Sequence, residues 1–331
     1  MSALAVVGAA ATVTIGYLLL TGKELSPQGL FRGKKAAPER CPLTDSEATG
    51  GVPDRPALAV KVENISEARP QAGINEADIV YEEPVEGGIT RFIAVYQCED
   101  ASRIGPIRSA RLVDADILRQ FGSPIFVFAG GVSQVVSAVE ESGAVPIPYA
   151  GPSEFFEEDP NRSKPHHVFS STEKLYRDAS GGPPESVFPF DPERPTSEKR
   201  ARLVHLDFSP FANVFWRFSP KNRVWLRSHD EEPHTLEDGS QVSSVNVVVQ
   251  VVKVRPSQIV DAAGNPSPEI DAVGSGKAYV FRNGRVIEGR WMREGQDDLT
   301  EFVDAAGEKI ALAPGRTWVE LFPSDRPIEI E

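Results

Sequence analysis

Three rhythms of apolar residues divide the chain. Residues 3–20 form one uncharged apolar run. About eighteen apolar residues just span a bilayer as a helix, whereas the apolar part of a cleavable signal is usually shorter. Residues 1–21 therefore read as a retained transmembrane anchor. Residues 22–54 lack apolar periodicity and are rich in Gly, Pro, Ser, Lys and Glu, the composition of a flexible stalk.

From 57 to 148, short apolar runs alternate with amphipathic ones. Runs 57–62, 79–83, 89–98, 125–128 and 145–148 read as strands. The 89–98 run is apolar on both faces, as a central strand covered on two sides must be. Residues 106–121 read as a helix closed by Gly122, with Val113, Ile117 and Phe121 as its apolar stripe. Residues 133–141 read as a second helix after Gly130 and Gly131. Residues 151–200 are polar and proline-rich, a long surface excursion and linker. Beyond 203 only strands are expected, at 204–208, 214–218, 224–227, 245–254, 278–281, 286–292, 301–303, 310–312 and 317–322, with Asn283-Gly284 marking a type I′ hairpin. The fold class is α+β: a mixed α/β N-terminal domain over 55–195 and an all-β C-terminal domain over 200–325, preceded by one N-terminal transmembrane helix.

Composition narrows the partners. The 331 residues are 40% hydrophobic and 25% charged, with a net charge of −13, typical of a globular chain. Residues 36–331 carry 31 basic and 47 acidic side chains, −16 in all. Such a body repels nucleic acid unless a basic patch dominates, so no nucleic-acid partner is expected. No basic residue precedes the apolar run and several follow it; the positive-inside rule alone would leave the body in the cytoplasm. Cysteine usage favours the other side. Cys41 and Cys98 are an even pair compatible with one disulfide in an oxidising compartment, two unrelated thiols being the alternative. The expected location is the cell membrane, single-pass, with the body outside the cytoplasm. Cys41 lies well beyond the apolar run, too far along to be a lipid-bearing cysteine.

One stretch concentrates charge beside core-forming sequence. Residues 81–111 hold Glu82, Glu83 and Glu86 with Arg91, Arg103, Arg108 and Arg111. Arginines in the first turns of a helix oppose its macrodipole by roughly 0.3–1 kcal/mol each, a cost that a bound or buried anion offsets. Two accounts follow. The arginines bind a carboxylate or phosphate from outside, or they pair internally with Glu82, Glu83, Glu86 or Asp114, the last being i,i+3 from Arg111. Alternation sends Glu82 and Glu83 to opposite faces of their strand. Glu86 sits beside two glycines that let a ligand approach the backbone. A glycosidase needs two carboxylates roughly 5–9 Å apart; Glu82 and Glu86 are the candidates, with Asp114 and Asp116 behind them. Of the adjacent His166 and His167, one can face a cleft as acid or base, and His167 is the one assigned; a capping or core-edge role is the alternative. The ligand-binding candidates are Arg91, Arg108, Arg111, Glu86, Asp114 and His167, and the catalytic candidates Glu82, Glu86 and His167. His229 and His234 flank an acidic turn, but no metal site is assigned. No P-loop, GxGxxG, H-E-x-x-H or G-x-S-x-G motif occurs, and no cofactor is expected.

Several long segments carry a family resemblance. CPLTD, RPALAVKVEN, ARPQAGINEADIVYEEPVEGGITRFIAVY, RIGPIRSAR and RSKPHHVF resemble the N-terminal domain of the YerB-like lipoproteins. NVVVQVVKV, GSGKAYVFRNGRVIEGRW and IALAPGRTWVELFP resemble that family's C-terminal domain. Together they cover about residues 41–325. The resemblance implies an exported, envelope-associated bacterial protein with two domains of unknown function. It supplies no catalytic residue, and the apolar anchor without a lipid-bearing cysteine departs from the lipoprotein pattern.

Three functions are compatible with these features. The first is an extracytoplasmic, membrane-anchored envelope protein that binds an anionic or sugar-containing ligand, such as a cell-wall fragment, in a cleft lined by Glu82, Glu86, Arg91, Arg108, Arg111 and His167. The second is a cell-wall glycoside hydrolase or transglycosylase using Glu82 or Glu86. The third is an envelope scaffold or protein-interaction module. Geometry separates them: a binder presents charge to an open cleft, and a scaffold seals it in ion pairs.

Overall fold

Strand β1 (Leu58–Glu63) is buried along its whole length, Lys61 and Glu63 included, because it lies inside a sheet covered on both faces. The computed structural model describes residues 38–193, 199–260 and 264–331. The apolar segment 3–20 lies outside the described residues, among which no helix is long and apolar enough to cross a membrane. After β1 come β2 (Ile79–Pro84), β3 (Thr90–Tyr96), α1 (Leu112–Leu118), β4 (Ile125–Phe128), α2 (Ser133–Glu141), β5 (Val145–Pro148), β6 (Glu157–Glu158), β7 (Val168–Phe169) and α3 (Thr172–Tyr176). The C-terminal part contributes β8 (Leu203–Ser209), β9 (Ala212–Ser219), β10 (Val224–His229), β11 (Glu232–Pro233), β12 (Ser243–Ser244), β13 (Asn246–Val252), β14 (Val254–Val260), β15 (Pro266–Ile270), β16 (Gly274–Arg282), β17 (Arg285–Arg293), β18 (Glu301–Asp304), β19 (Thr317–Pro323) and β20 (Ile328–Ile330).

Ten strands form one sheet in the order β18-β17-β16-β13-β19-β2-β3-β1-β4-β5. Both sequence halves enter it. β19 pairs in parallel with β2, Thr317 opposite Ile79 through Glu320 opposite Glu82. The described C-terminal half is all β, as its patterning predicts, yet five of its strands, β13, β16, β17, β18 and β19, extend the N-terminal sheet. The reason lies in β2. Its first five residues are buried, and an open edge there would strand unpaired backbone groups. The fully buried β19 closes that edge.

A second sheet, β11-β10-β9-β8-β20 with β12 on β10, packs over one face. Alternate residues of β8 and β9 are buried, the signature of a sheet with one wet side. Trp216 and Trp318 meet there at 5.2 Å between ring centroids, and Phe92 stands edge-on to Trp318 at 5.1 Å. The opposite face packs Ile79, Tyr81, Ile93 and Val95 together with Val113 and Ile117 of α1 and Val135 and Val139 of α2. At the β16–β17 hairpin, Asn283 and Gly284 have φ of 51° and 70°, as a type I′ turn requires.

Four expectations change. The helix expected over 106–121 spans only Leu112–Leu118, followed by a 3-10 turn to Phe121. Residues 104–107 are extended instead, with Ile107 bridging Val62 and Ile104 bridging Ser170, so Arg108 is not helical and the macrodipole argument does not apply to it. Residues 310–312 form no strand, and Leu312 makes a single bridge to Phe190. Part of the expected excursion over 151–200 is folded, burying Phe156, Phe169 and Leu175. Residues 39–54, expected in the stalk, belong to the compact unit Glu39–Glu331. Leu43 is buried in the helix-side core, and a disulfide joins Cys41 to Cys98, with 5.9 Å between Cα atoms.

That bridge closes 57 residues of sequence separation, which in the chain-entropy view stabilises the fold by roughly 4 kcal/mol. Cys41→Ser/Cys98→Ser is expected to lower the unfolding free energy by about that amount in urea titration. An unchanged midpoint would mean that the bridge is thermodynamically idle.

Candidate functional site

Strand alternation in β2 sends Glu82 toward the second sheet and Glu83 toward α1, and each meets a different buried cation. Both oxygens of Glu82 accept from Arg227 Nη2 of β10, at 2.7 and 2.8 Å. Thr90 Oγ1 donates to Glu82 at 2.7 Å. Arg227 Nη1 also reaches His234 Nδ1 and His229 Nε2, each at 2.8 Å. His234 Nε2 lies 2.8 Å from Gln71 Oε1. Nε2–H therefore donates to Gln71, leaving Nδ1 to accept from Arg227. Burial and the Arg227 charge push the pKa of both imidazoles down, so both are neutral. Opposite Glu82 on β19, Glu320 accepts from Trp216 Nε1 at 2.6 Å. Burial and the neighbouring Glu82 push its pKa well up, so Glu320 keeps its proton.

On the helix face, Lys61 contacts Glu83 and lies 2.7 Å from Asp114 Oδ1, all three side chains being sealed from solvent. Asp114 Oδ2 accepts from the Arg111 backbone N–H at 2.7 Å, so this carboxylate caps the start of α1. Burial, with Asp114 beside it, pushes Glu83 up to about 8. Lys61 and Asp114 therefore form the ion pair, and Glu83 is protonated at neutral pH.

The arginines gather at the end of β1. Glu63, in register with Arg91, accepts from Arg91 Nε at 3.2 Å and from Arg108 Nε at 2.8 Å. Glu86, in the β2–β3 hairpin, accepts from Arg111 Nε at 2.8 Å and from Ser267 Oγ of β15. Burial disfavours charge on both carboxylates, yet their arginine partners hold both pKa values below the usual range. The three guanidiniums also converge on Ser109: Arg91 and Arg111 Nη1 each lie 3.4 Å from its carbonyl oxygen, and Arg108 Nη1 lies 3.3 Å from its hydroxyl. Three cations thus share two carboxylates. Arg91 and Arg111 are 7% and 11% exposed, whereas Arg108 is 25% exposed.

The structure therefore brings Arg91, Arg108, Arg111 and Glu86 together and leaves Glu82, Asp114 and His167 out. Glu82 lies on the opposite face, and Asp114 is buried with Lys61. His167 stands edge-on to Tyr149 at 6.3 Å, with Nε2 3.4 Å from Glu158. It is His166 that sits in the field of Glu63, Arg91 and Arg108, its pKa lowered by burial. Arg103 is held elsewhere by Glu157, Asp159 and Glu237. Sequence reasoning missed Lys61, Glu63 and Arg227. Their signal was available: Lys61 and Glu63 interrupt the apolar run of β1, and Arg227 shares the buried face of β10 with Trp225. Among the catalytic candidates, Glu82 is paired with Arg227 and Glu86 with Arg111.

Removing one partner of a buried ion pair costs about 3–5 kcal/mol, whereas replacing both by apolar residues is often far milder. Arg227→Leu is accordingly expected to destabilise by that range, and Glu82→Leu/Arg227→Leu by less than Arg227→Leu alone; a double-variant loss equal to the sum of the two single-variant losses would show that the two act independently. A second expectation follows from Glu83. Its folded pKa lies above the unfolded carboxylate value, so its contribution is complete at low pH and is lost as pH rises from about 4.5 through about 8. Glu83→Gln should flatten this part of the urea midpoint-versus-pH curve, and an unaltered slope would place the titrating group elsewhere.

The descriptions "Protein of unknown function (DUF3048) N-terminal domain" and its C-terminal counterpart match residues 43–184 and 204–319. A protein of Bacillus subtilis (strain 168) described as "Putative lipoprotein YerB" is 29% identical over 297 residues, covering 86% of this chain and 86% of that protein. The crystal structure of the YerB protein from Bacillus subtilis aligns with a TM-score of 0.73 and 26% identity, covering 88% of this chain and 99% of that chain. The shared two-domain, mostly β fold and the two matched segments establish that this chain belongs to the DUF3048 family, whose function is unknown.

Proposed function

We propose that this is an extracytoplasmic, membrane-anchored protein of the bacterial envelope whose arginine cluster holds an anionic group of a ligand such as a cell-wall fragment. The observation that carries this reading is the imbalance at Ser109, where three guanidiniums share Glu63 and Glu86 and Arg108 remains open to solvent. A phosphate or carboxylate beside Arg108 supplies the missing charge through a short charge-assisted hydrogen bond. The lipoprotein description of the Bacillus subtilis relative supports the envelope location, as does the disulfide. In this reading the apolar segment 3–20 provides the attachment. The sealed pairs at Glu82 and Glu83 favour a second reading, a rigid scaffold for a protein partner.

The test is retention of the full chain on purified peptidoglycan. Retention without released fragments is expected, and Arg108→Gln should reduce it at least several-fold. Because Arg91 still pairs Glu63, stability should change little, by about 0.5 kcal/mol or less as for most surface positions. No retention, or equal retention of the variant, would reject the arginine site and favour the scaffold.

A further inference from the structure

A second cluster of arginines lies far along the sequence from the first, and it is not sealed. A groove of about 480 Å³ is lined by Arg200, Arg202, Arg217, Phe218, Asn283 and Arg285, and no acidic residue is among its walls in the described residues. That is unexpected on a body of charge −16, and it contrasts with the N-terminal arginines, each of which meets a carboxylate. Arg200, Arg202 and Arg217 have no side-chain hydrogen-bond or ion-pair partner among the described residues. All three are exposed, with buried Ala201 between the first two. Arg200 and Arg202 lie just ahead of β8, and both line the groove. Arg217 lies across the β8–β9 pairing, opposite Leu203. Arg200 bridges Arg285, which follows the Asn283-Gly284 turn. That turn forms one wall because Gly284 has no side chain: a Cβ there would lie 2.7 Å from the Phe218 ring.

We infer that this groove is a binding site for a ligand carrying two or more neighbouring phosphate groups. Like charges in adjacent positions repel, and a folded chain without an anionic partner gains nothing from gathering them. The planar forks of arginine match phosphate oxygens in pairs, and three forks around one groove exceed what one phosphate monoanion needs. The volume is that of a small-ligand pocket, and the half-buried Phe218 offers an apolar wall for whatever links the phosphates. The site is independent of the Arg108 reading, since no residue is shared. A soluble oligophosphate and a membrane surface of adjacent phospholipid headgroups present the same chemistry.

The experiment is calorimetric titration of the full chain with inorganic tripolyphosphate, with orthophosphate as the single-group comparison. Saturable uptake of one tripolyphosphate per chain is expected, at least tenfold tighter than orthophosphate. Arg202→Gln/Arg217→Gln should weaken it at least tenfold, Arg217→Lys should weaken it less, and Arg108→Gln should leave it unchanged. These arginines are exposed and unpaired, so the variants should retain the parent melting temperature. Co-sedimentation with phosphatidylglycerol vesicles that tripolyphosphate reverses would identify the headgroup as the source. Tripolyphosphate binding without vesicle binding would identify a soluble oligophosphate as the source. No uptake, or uptake insensitive to the Arg202/Arg217 substitutions, would overturn the inference.

Discussion

Everything in this molecule depends on the parallel seam between β2 and β19. It joins two stretches of chain more than two hundred residues apart, and it turns two sequence domains into one sheet with a common core. The seam also determines where charge lies. Glu82 and Glu320 become neighbours because the register pairs them, and two adjacent buried carboxyl groups cannot both be ionised. Arg227, brought over from the second sheet, resolves the conflict by taking Glu82 as the carboxylate and leaving Glu320 protonated. A single cation thus ties the second sheet to the seam.

The same economy is seen on the other face. Lys61 faces two acids, Glu83 and Asp114, and only one of them keeps its charge. At the end of β1 the balance is reversed, with more arginines than carboxylates. The first two clusters are closed and serve the fold. The third is nearly closed, open only at Arg108, and the groove around Arg202 and Arg217 is fully open. Exposure of positive charge therefore rises from the seam outward to the rim and the groove.

Much of the fold was legible in the sequence because its signals were local. The runs at 125–128, 133–141 and 145–148 become β4, α2 and β5 with unchanged bounds, and Asn283-Gly284 makes the hairpin turn its residues specify. What was not legible was set by distant chain. The extended course of residues 104–107 is fixed by bridges to Val62 and Ser170, which no local periodicity announces. The joining of the two halves depends on β2 having an edge to fill, and a one-dimensional pattern does not display edges. The site was legible in kind but not in partners. The arginines were conspicuous, whereas Glu63, which orients two of them, sat unnoticed within an apolar run, and the wrong one of two adjacent histidines was assigned to them. The open arginines of the C-terminal half were invisible because unpaired charge looks like ordinary surface until its neighbours are known.

The Cys41–Cys98 bridge has a mechanical consequence. Tension applied to the chain ahead of Glu39 does not run through residues 42–57 to peel β1 from its start. It crosses the sulfur–sulfur bond and enters just beyond the end of β3, a strand held by hydrogen-bonded ladders on both sides. The load is divided between β1 and β2, and through β2 it reaches β19 and the second half of the molecule. A pull on the leading end of the described chain thus reaches the sheet beside a strand paired on both edges.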